Sequence, residues 1–510
     1  MSNIKIIKKN KYKNKKKQRK RHKTRIRSSR GTRGARGTRG TRGTRTRKRK
    51  RKKTRTRKRK KTKTKKILKR GENKKETNKN YDMVIIGGGI TGLYLYYQLL
   101  KKKSDKNKKS CLFEKSFEVG GRVKTMSVQT PDGEKHKFEI GAGRFSGEHK
   151  HLITLIKEFG LSKKMIPISG DTKFVTKNKK LLRFKKSPYQ YFDELVKLSR
   201  NDSPDELRKI TFKDLCEKKL GKKITNYLTL SYAYNDEFIT NAYDGLRLYM
   251  KTMNPSTNQY YVLAGGLSQL TDELKKRIIK MGGSIRTSCE VKDIKRMSRK
   301  KTPSSHFSMN IVDKNKISSH PIKTKKIYLA IPKPALQKFK ILLPAKKLIN
   351  SVGQSSLNRI YAVFPSDEKG KYWFEGLGKM NTDSELRFII PIDQKRGSIM
   401  ISYGDEEYAK YWGKETRKNE KSRWVKKIME LTRYLFGEKV PEPIWIESYF
   451  WENGVSYWEK DADSEAVTRA MMQPLGEEVD LYSCGENYSM TNAWIEGGFE
   501  TVHNLLSLKN

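Results

Sequence analysis

The sequence predicts a two-lobe α/β protein behind a disordered basic tail, and three observations predict it. An apolar run, Met83-Val84-Ile85-Ile86, leads straight into Gly87-Gly88-Gly89-Ile90-Thr91-Gly92 and then into a helix-like segment over residues 93–101. A length of 510 residues exceeds what one compact core holds, so two or three lobes are expected. Residues 1–80 carry 41 Lys and Arg against two acids, Glu72 and Glu76, which is +39 of the chain's formal charge of +63.

The tail is low in complexity. A Gly-Thr-Arg repeat fills residues 31–45, and Lys/Arg/Thr runs continue to Lys66. Between Lys11 and Lys66 only Tyr12, Ile26 and Ala35 are apolar, so nothing there can be buried to offset the entropy of ordering. Such a charge density suits non-specific contact with nucleic acid or another polyanion, whereas the lack of aromatic rings argues against base recognition.

Residues 81–114 read as a dinucleotide-binding, Rossmann-like unit. The apolar run is a buried parallel strand, and the glycines match G-x-G-x-x-G. Gly87 allows the tight turn, Gly89 lets the backbone approach a pyrophosphate, and Gly92 lets the helix pack on the strand. The helix start points unpaired N–H groups at phosphate. A second short strand, Cys111-Leu112-Phe113, ends in Glu114, an acid placed to accept from ribose hydroxyls.

Further along, residues 149–159 have helical spacing, Leu181-Leu182-Arg183-Phe184 looks like a strand, and residues 188–250 read as mostly helical. An amphipathic helix is expected over 267–279, strand over 284–294, a polar hairpin or loop over 297–326, and a buried strand at Ile327-Tyr328-Leu329-Ala330-Ile331. The four cysteines, Cys111, Cys216, Cys289 and Cys484, show no C-x-x-C spacing, so neither a metal site nor a disulfide framework is expected. They suit an intracellular, reducing compartment, in cytoplasm or beside nucleic acid. No apolar run of transmembrane length and no secretory signal is present, so secretion is not expected.

With these residues in hand, the chain resembles the flavin-containing amine oxidase family, which includes monoamine, polyamine and L-amino-acid oxidases. The resemblance rests on Gly87/Gly89/Gly92, Glu114, Gly120-Gly121-Arg122 with Thr125, Gly485-Glu486 and Trp494-Ile495-Glu496-Gly497, in that family's order over residues 81–508. It implies FAD bound in a GR-type frame. FAD-binding parts would occupy 81–150, 255–335 and 476–510. A mainly helical substrate part would occupy 151–254 and a substrate-binding domain 336–475. Gly121 and Arg122 would meet the pyrophosphate, Glu486 the ribityl chain, and the Val291 backbone the adenine.

The implied chemistry is hydride transfer from the carbon beside an amine to the flavin, with O2 reoxidising the flavin to give hydrogen peroxide. Trp494 and either Tyr457 or Trp458 would form the two aromatic walls around the amine. Ser456 stands where some monoamine oxidases carry a cysteine, which implies non-covalent FAD. Arg359 stands where many members carry a lysine, and an arginine cannot serve as a tunable base. Arg144, followed by His149, resembles the L-amino-acid oxidase arginine that grips the substrate carboxylate. Two alternatives share the motifs: a desaturase or protoporphyrinogen-oxidase-like enzyme, and a nucleic-acid-associated protein with a catalytically weak oxidase fold.

Overall fold

The computed structural model describes residues 80–102, 108–297, 306–313, 316–317 and 321–508. The expected disordered tail therefore lies outside the described residues, apart from Asn80, as does part of the expected polar hairpin. Among the described residues an eight-stranded sheet runs in the order Cys289–Arg296, Phe307–Asp313, Ile322–Leu329, Asn80–Ile86, Ser110–Phe113, Ile285–Arg286. Two further strands pair off this path, and one of them, Leu481–Ser483, lies parallel beside Ile322–Leu329. The strand Asn80–Ile86 sits between two parallel partners, Val84 pairing with Ile327 on one side and Cys111 on the other. A parallel strand in that place is covered on both faces, which is why its sequence is continuously apolar rather than alternating. Met83 and Ile85 join one buried cluster with Leu93, Leu274 and Val502; Val84 and Ile86 join another with Phe113, Leu336 and Phe339.

A second sheet, six-stranded among the described residues, runs Trp445–Trp458, Val352–Val363, Ser398–Asp405, Phe388–Asp393, Met380–Thr382, Lys173–Val175. It is antiparallel except for the last pair, Met380–Thr382 with Lys173–Val175. The helical stretch expected over 188–250 is present, beginning at Pro188–Leu198, where Ser187 and Gln190 form a reciprocal capping box. The strand expected at 181–184 is instead a single 3-10 turn, Leu181–Arg183, in which only Leu181 is buried. One anchored side chain does not make a strand: among the described residues none pairs with this segment to form a ladder. In the stretch expected as a polar hairpin or loop, Phe307–Asp313 is an ordered antiparallel strand next to Ile322–Leu329.

Arg387 ties the helical stretch to the second sheet. Its guanidinium is 1% exposed and donates to the carbonyls of Thr229, Leu230 and Tyr232 at 2.9, 2.7 and 2.7 Å, where the helix Lys222–Ser231 ends. Orphan carbonyls at a helix C-terminus need such donors, and the negative end of the helix dipole favours a cation there. Arg387→Met leaves these buried acceptors unsatisfied, so a stability loss of about 3 kcal/mol is expected in denaturant unfolding.

The chain end completes the first sheet. The helix Ile495–Ser507 lies on the helix Ile90–Lys101, with the Tyr94 and Phe499 rings stacked 3.9 Å apart and Tyr94 Oη 2.8 Å from His503 Nε2. All four cysteines are buried, and none is in a disulfide. Among the described residues no helix is long and apolar enough to cross a membrane.

Candidate active site

A cavity of about 1330 Å³ is walled by the glycine turn on one side and by the second sheet on the other. Its dinucleotide side starts at Gly87, whose φ of +107° and the Ala330 carbonyl against its Cα leave no room for a side chain. Gly92 does not line the cavity; it faces back to the Gly87 carbonyl, which a Cβ would overlap. Gly89 opens the helix Ile90–Lys101 without a side-chain cap, leaving its first N–H groups turned to the cavity. Glu114 ends its strand there and accepts from the N–H groups of Gly88 and Ser116, both at 2.7 Å.

Gly121, Arg122, Val291, Gly485 and Glu486 also line the cavity. Arg122 Nη1 pairs with Glu486 Oε1 at 2.6 Å and donates to the Gly454 carbonyl at 2.9 Å. Glu486 also accepts from the Ala493 N–H at 2.9 Å and from the Ser456 hydroxyl at 3.2 Å. These contacts bring the segments around 122, 456, 486 and 493 to one point.

On the other side, Arg144 sits among rings. Its Cζ lies 4.5 Å from the Tyr260 ring centre, 5.5 Å from Trp494 and 5.7 Å from Tyr234, whose hydroxyl it holds at 2.9 Å. Among the described residues Arg144 makes no ion pair, and it lines the cavity. His149, buried and held by the Ser146 N–H at 3.3 Å, meets Trp494 edge-on at 4.9 Å. Burial, with Lys251 and Arg144 nearby, pushes His149 down to about 3, so it is a neutral wedge behind the tryptophan.

Arg359 lines the cavity from the strand Val352–Val363, donating to the Glu139 carbonyl at 2.7 Å and lying 5.0 Å over the Tyr403 ring. Tyr457 lines it too, its ring pressed on Gly353, where any side chain would collide with it. Trp458 does not. It is 0% exposed in the core with Val84, Leu336, Val352 and Val467. Successive strand residues point to opposite faces, so if Tyr457 faces the cavity its neighbour is turned into the core. Trp458 is thereby corrected from a substrate wall to a core residue.

The sequence reading missed Tyr234, Asp236, Glu237 and Lys379, which line this side of the cavity, and Tyr260, a buried ring against Arg144. The run Tyr232-Ala233-Tyr234-Asn235-Asp236-Glu237 held a signal: adjacent acids among tyrosines just past a helical segment. Glu237 is 7% exposed and accepts from the Tyr232 hydroxyl at 2.8 Å. Burial, added to by Asp405, pushes Glu237 up to about 8; burial and Asp405 also raise Asp236. Desolvation favours the neutral carboxyl in both.

Because its folded value lies above the unfolded 4.5, Glu237 contributes stability in full below pH 4.5 and loses it as pH rises through about 8. Between pH 6 and pH 9 the native protein is expected to lose a few degrees more in Tm than Glu237→Gln does. Equal losses in a thermal melt count against a neutral Glu237.

Against known proteins, a model described as flavin containing amine oxidoreductase matches residues 90–501. The protein named Uncharacterized protein R188, of Acanthamoeba polyphaga mimivirus, is 22% identical over 496 residues, covering 83% of this chain and 93% of its own. A probable flavin-containing monoamine oxidase A of Dictyostelium discoideum is 36% identical over 81 residues, 16% of either chain. Structures of putrescine oxidase, one the wild type bound to putrescine and one a mutant from a redesign of cofactor binding, are each similar at TM-score 0.63. Both are 14% identical and cover 84% of this chain and 99% of their own.

Proposed function

The chain belongs to the flavin containing amine oxidoreductases and is an FAD-dependent oxidoreductase, and from that premise we propose that it oxidises an α-amino acid at the carbon bearing the amine. The product would be an imine that water hydrolyses to the oxo acid and an ammonium ion, with O2 as final electron acceptor and hydrogen peroxide formed from it. The observation that carries this reading is Arg144, a guanidinium without a carboxylate partner among the described residues, aimed into the cavity between Tyr260, Trp494 and Tyr234. A planar fork of donors suits a carboxylate. A diamine would instead set a second cation against it.

The residues fit bound FAD. A Cβ built on Gly89 meets no protein atom within 4 Å, so the helix start is open to a pyrophosphate. Glu114 keeps lone pairs for ribose hydroxyls, and Arg122 with Glu486 stands where the pyrophosphate and ribityl chain would pass. Val291 lines the same cavity and would take the adenine. FAD would supply the acceptor for hydride from the substrate carbon and, once reduced, the two electrons that O2 takes up. Ser456, hydrogen-bonded to Glu486 and to Gln354 at 2.9 Å, offers no thiol, which supports a non-covalent cofactor.

Within that frame Arg144 fixes the carboxylate and so the orientation of the α-carbon. Trp494 and Tyr457 supply apolar walls that exclude water from the reacting carbon. Arg359, held by the Glu139 carbonyl, stays charged and cannot remove a proton; it adds a fixed positive charge.

The test is direct. The full chain is purified, its flavin spectrum recorded, and amino acids and carboxylate-free amines mixed with it without oxygen. Bleaching by amino acids, and a yellow supernatant after acid precipitation, support the reading. A colourless protein, or bleaching by amines alone, sinks it.

The tail adds a second property, resting on charge alone. Its +39 supports salt-sensitive contact with nucleic acid or another polyanion. DNA affinity that falls steeply with salt for the full chain, and is weaker for a chain starting at Asn80, would support this. Equal affinity of the two would end it.

A further inference from the structure

Arg144 is not alone in facing the cavity without a paired acid. Lys379 immediately precedes the strand Met380–Thr382 and lines the same cavity. Its backbone is fixed by the Lys173 N–H, which donates to the Lys379 carbonyl at 2.9 Å, and its ammonium donates to the Ser169 carbonyl. Neither Lys379 nor Arg144 forms an ion pair among the described residues. Asp171, the acid nearest in influence to Lys379, is exposed and bonded to the Ser169 hydroxyl at 2.9 Å. An ammonium at the wall of a cavity near another cation is disfavoured unless something anionic joins it there.

The buried acids do not supply that charge. Burial works on the two signs oppositely: it holds Asp236 and Glu237 in the neutral form, while a guanidinium keeps its proton. Burial and the nearby Arg144 push Lys379 down to about 8, which leaves it mostly protonated at neutral pH. With Arg359 also present, the substrate side of the cavity is net positive. One carboxylate, on Arg144, balances only part of this.

We propose that Lys379 is a second anion-binding residue of the site, so that the preferred substrate is an α-amino acid with a carboxylate on its side chain. This rests on the amino-acid reading above: the α-carboxylate takes Arg144 and the side-chain carboxylate takes Lys379. The exposed Lys173 beside it strengthens the attraction at the mouth.

The experiment compares glutamate, glutamine and leucine in the reductive reaction of the full, flavin-loaded chain, with Lys379→Met and Lys379→Arg. Binding of glutarate and of pentanoate, which carry no amine, is measured by calorimetry on the same proteins. Glutamate is expected to exceed glutamine in kcat/KM by about tenfold or more, and glutarate to bind more tightly than pentanoate by a similar factor. Lys379→Met is expected to erase both preferences and Lys379→Arg to keep most of each. Preferences absent in the native chain, or untouched in Lys379→Met, overturn the assignment of Lys379 while leaving Arg144 and amino-acid oxidation standing. Failure of every amino acid to bleach the flavin overturns the parent reading and this one together.

Discussion

Replacing Arg144 with methionine is expected to cut kcat/KM for amino-acid substrates by about 100-fold or more, with most of the loss in KM. A bidentate, charge-assisted contact in a cavity shielded from water is worth about 3 kcal/mol, and each 1.4 kcal/mol is tenfold. Methionine keeps the apolar stem but stops short of the Cζ that lies over the Tyr260 and Trp494 rings, so the rings lose that contact in the variant. The decisive comparison is a carboxylate-free amine of the same side chain. It is expected to lose little in the variant, or to gain, since a cation no longer repels it. An equal loss for both compounds means that Arg144 only holds the rings in place, and the carboxylate role is wrong.

The second large effect concerns loading of the cofactor. Gly87→Ala is expected to leave the purified protein with less than about a tenth of its flavin, read as the ratio of flavin to protein absorbance. Two penalties meet at this residue. Its φ of +107° lies in the region that costs an L-residue about 1–2 kcal/mol, and its Cβ would overlap the Ala330 carbonyl. That carbonyl cannot give way easily, because the Ala330 N–H is itself fixed to the Ile86 carbonyl at 2.8 Å. The turn must move instead, and the helix N-terminus moves with it. Gly133→Ala makes a fair control: φ is +88°, nothing lies within 4 Å of its Cβ, and it does not line the cavity. If the control loses flavin as fully, general destabilisation explains both.

Legibility of the fold followed locality. Gly87, Gly89, Gly92 and Glu114 act within one strand-turn-helix-strand unit, so their spacing alone carries the geometry. The continuous apolar run at 83–86 announced a strand covered on both faces, and the sheet order confirms that position. The ring box was not legible. Tyr234 is 90 residues from Arg144, and nothing in either local pattern says that the two meet. The acids and Lys379 were hidden for the same reason: their significance is desolvation, which is a property of the assembled cavity. Trp458 shows a different failure. An aromatic next to the right segment looked sufficient, but the period-2 alternation of a strand assigns each neighbour to the opposite face. The stretch at 181–184 failed because apolar residues alone do not provide a ladder partner.

The joining of Leu481–Ser483 and of the helix Ile495–Ser507 to the first sheet has a consequence in time. The glycine turn emerges from the ribosome early, yet the strand beside Ile322–Leu329 and the helix that stacks Phe499 on Tyr94 emerge only after the other strands of the sheet. At about 5–20 residues per second, tens of seconds separate the two events. Throughout that interval the face of the helix Ile90–Lys101 that packs on Phe499 and Val502 lacks its native cover, though Leu270 and Leu274 can already lie on another face, and the nascent chain is exposed there to mispairing and to chaperone capture. A message truncated anywhere before the codon for Leu481 therefore yields no partial enzyme, only a chain whose first-made unit never closes.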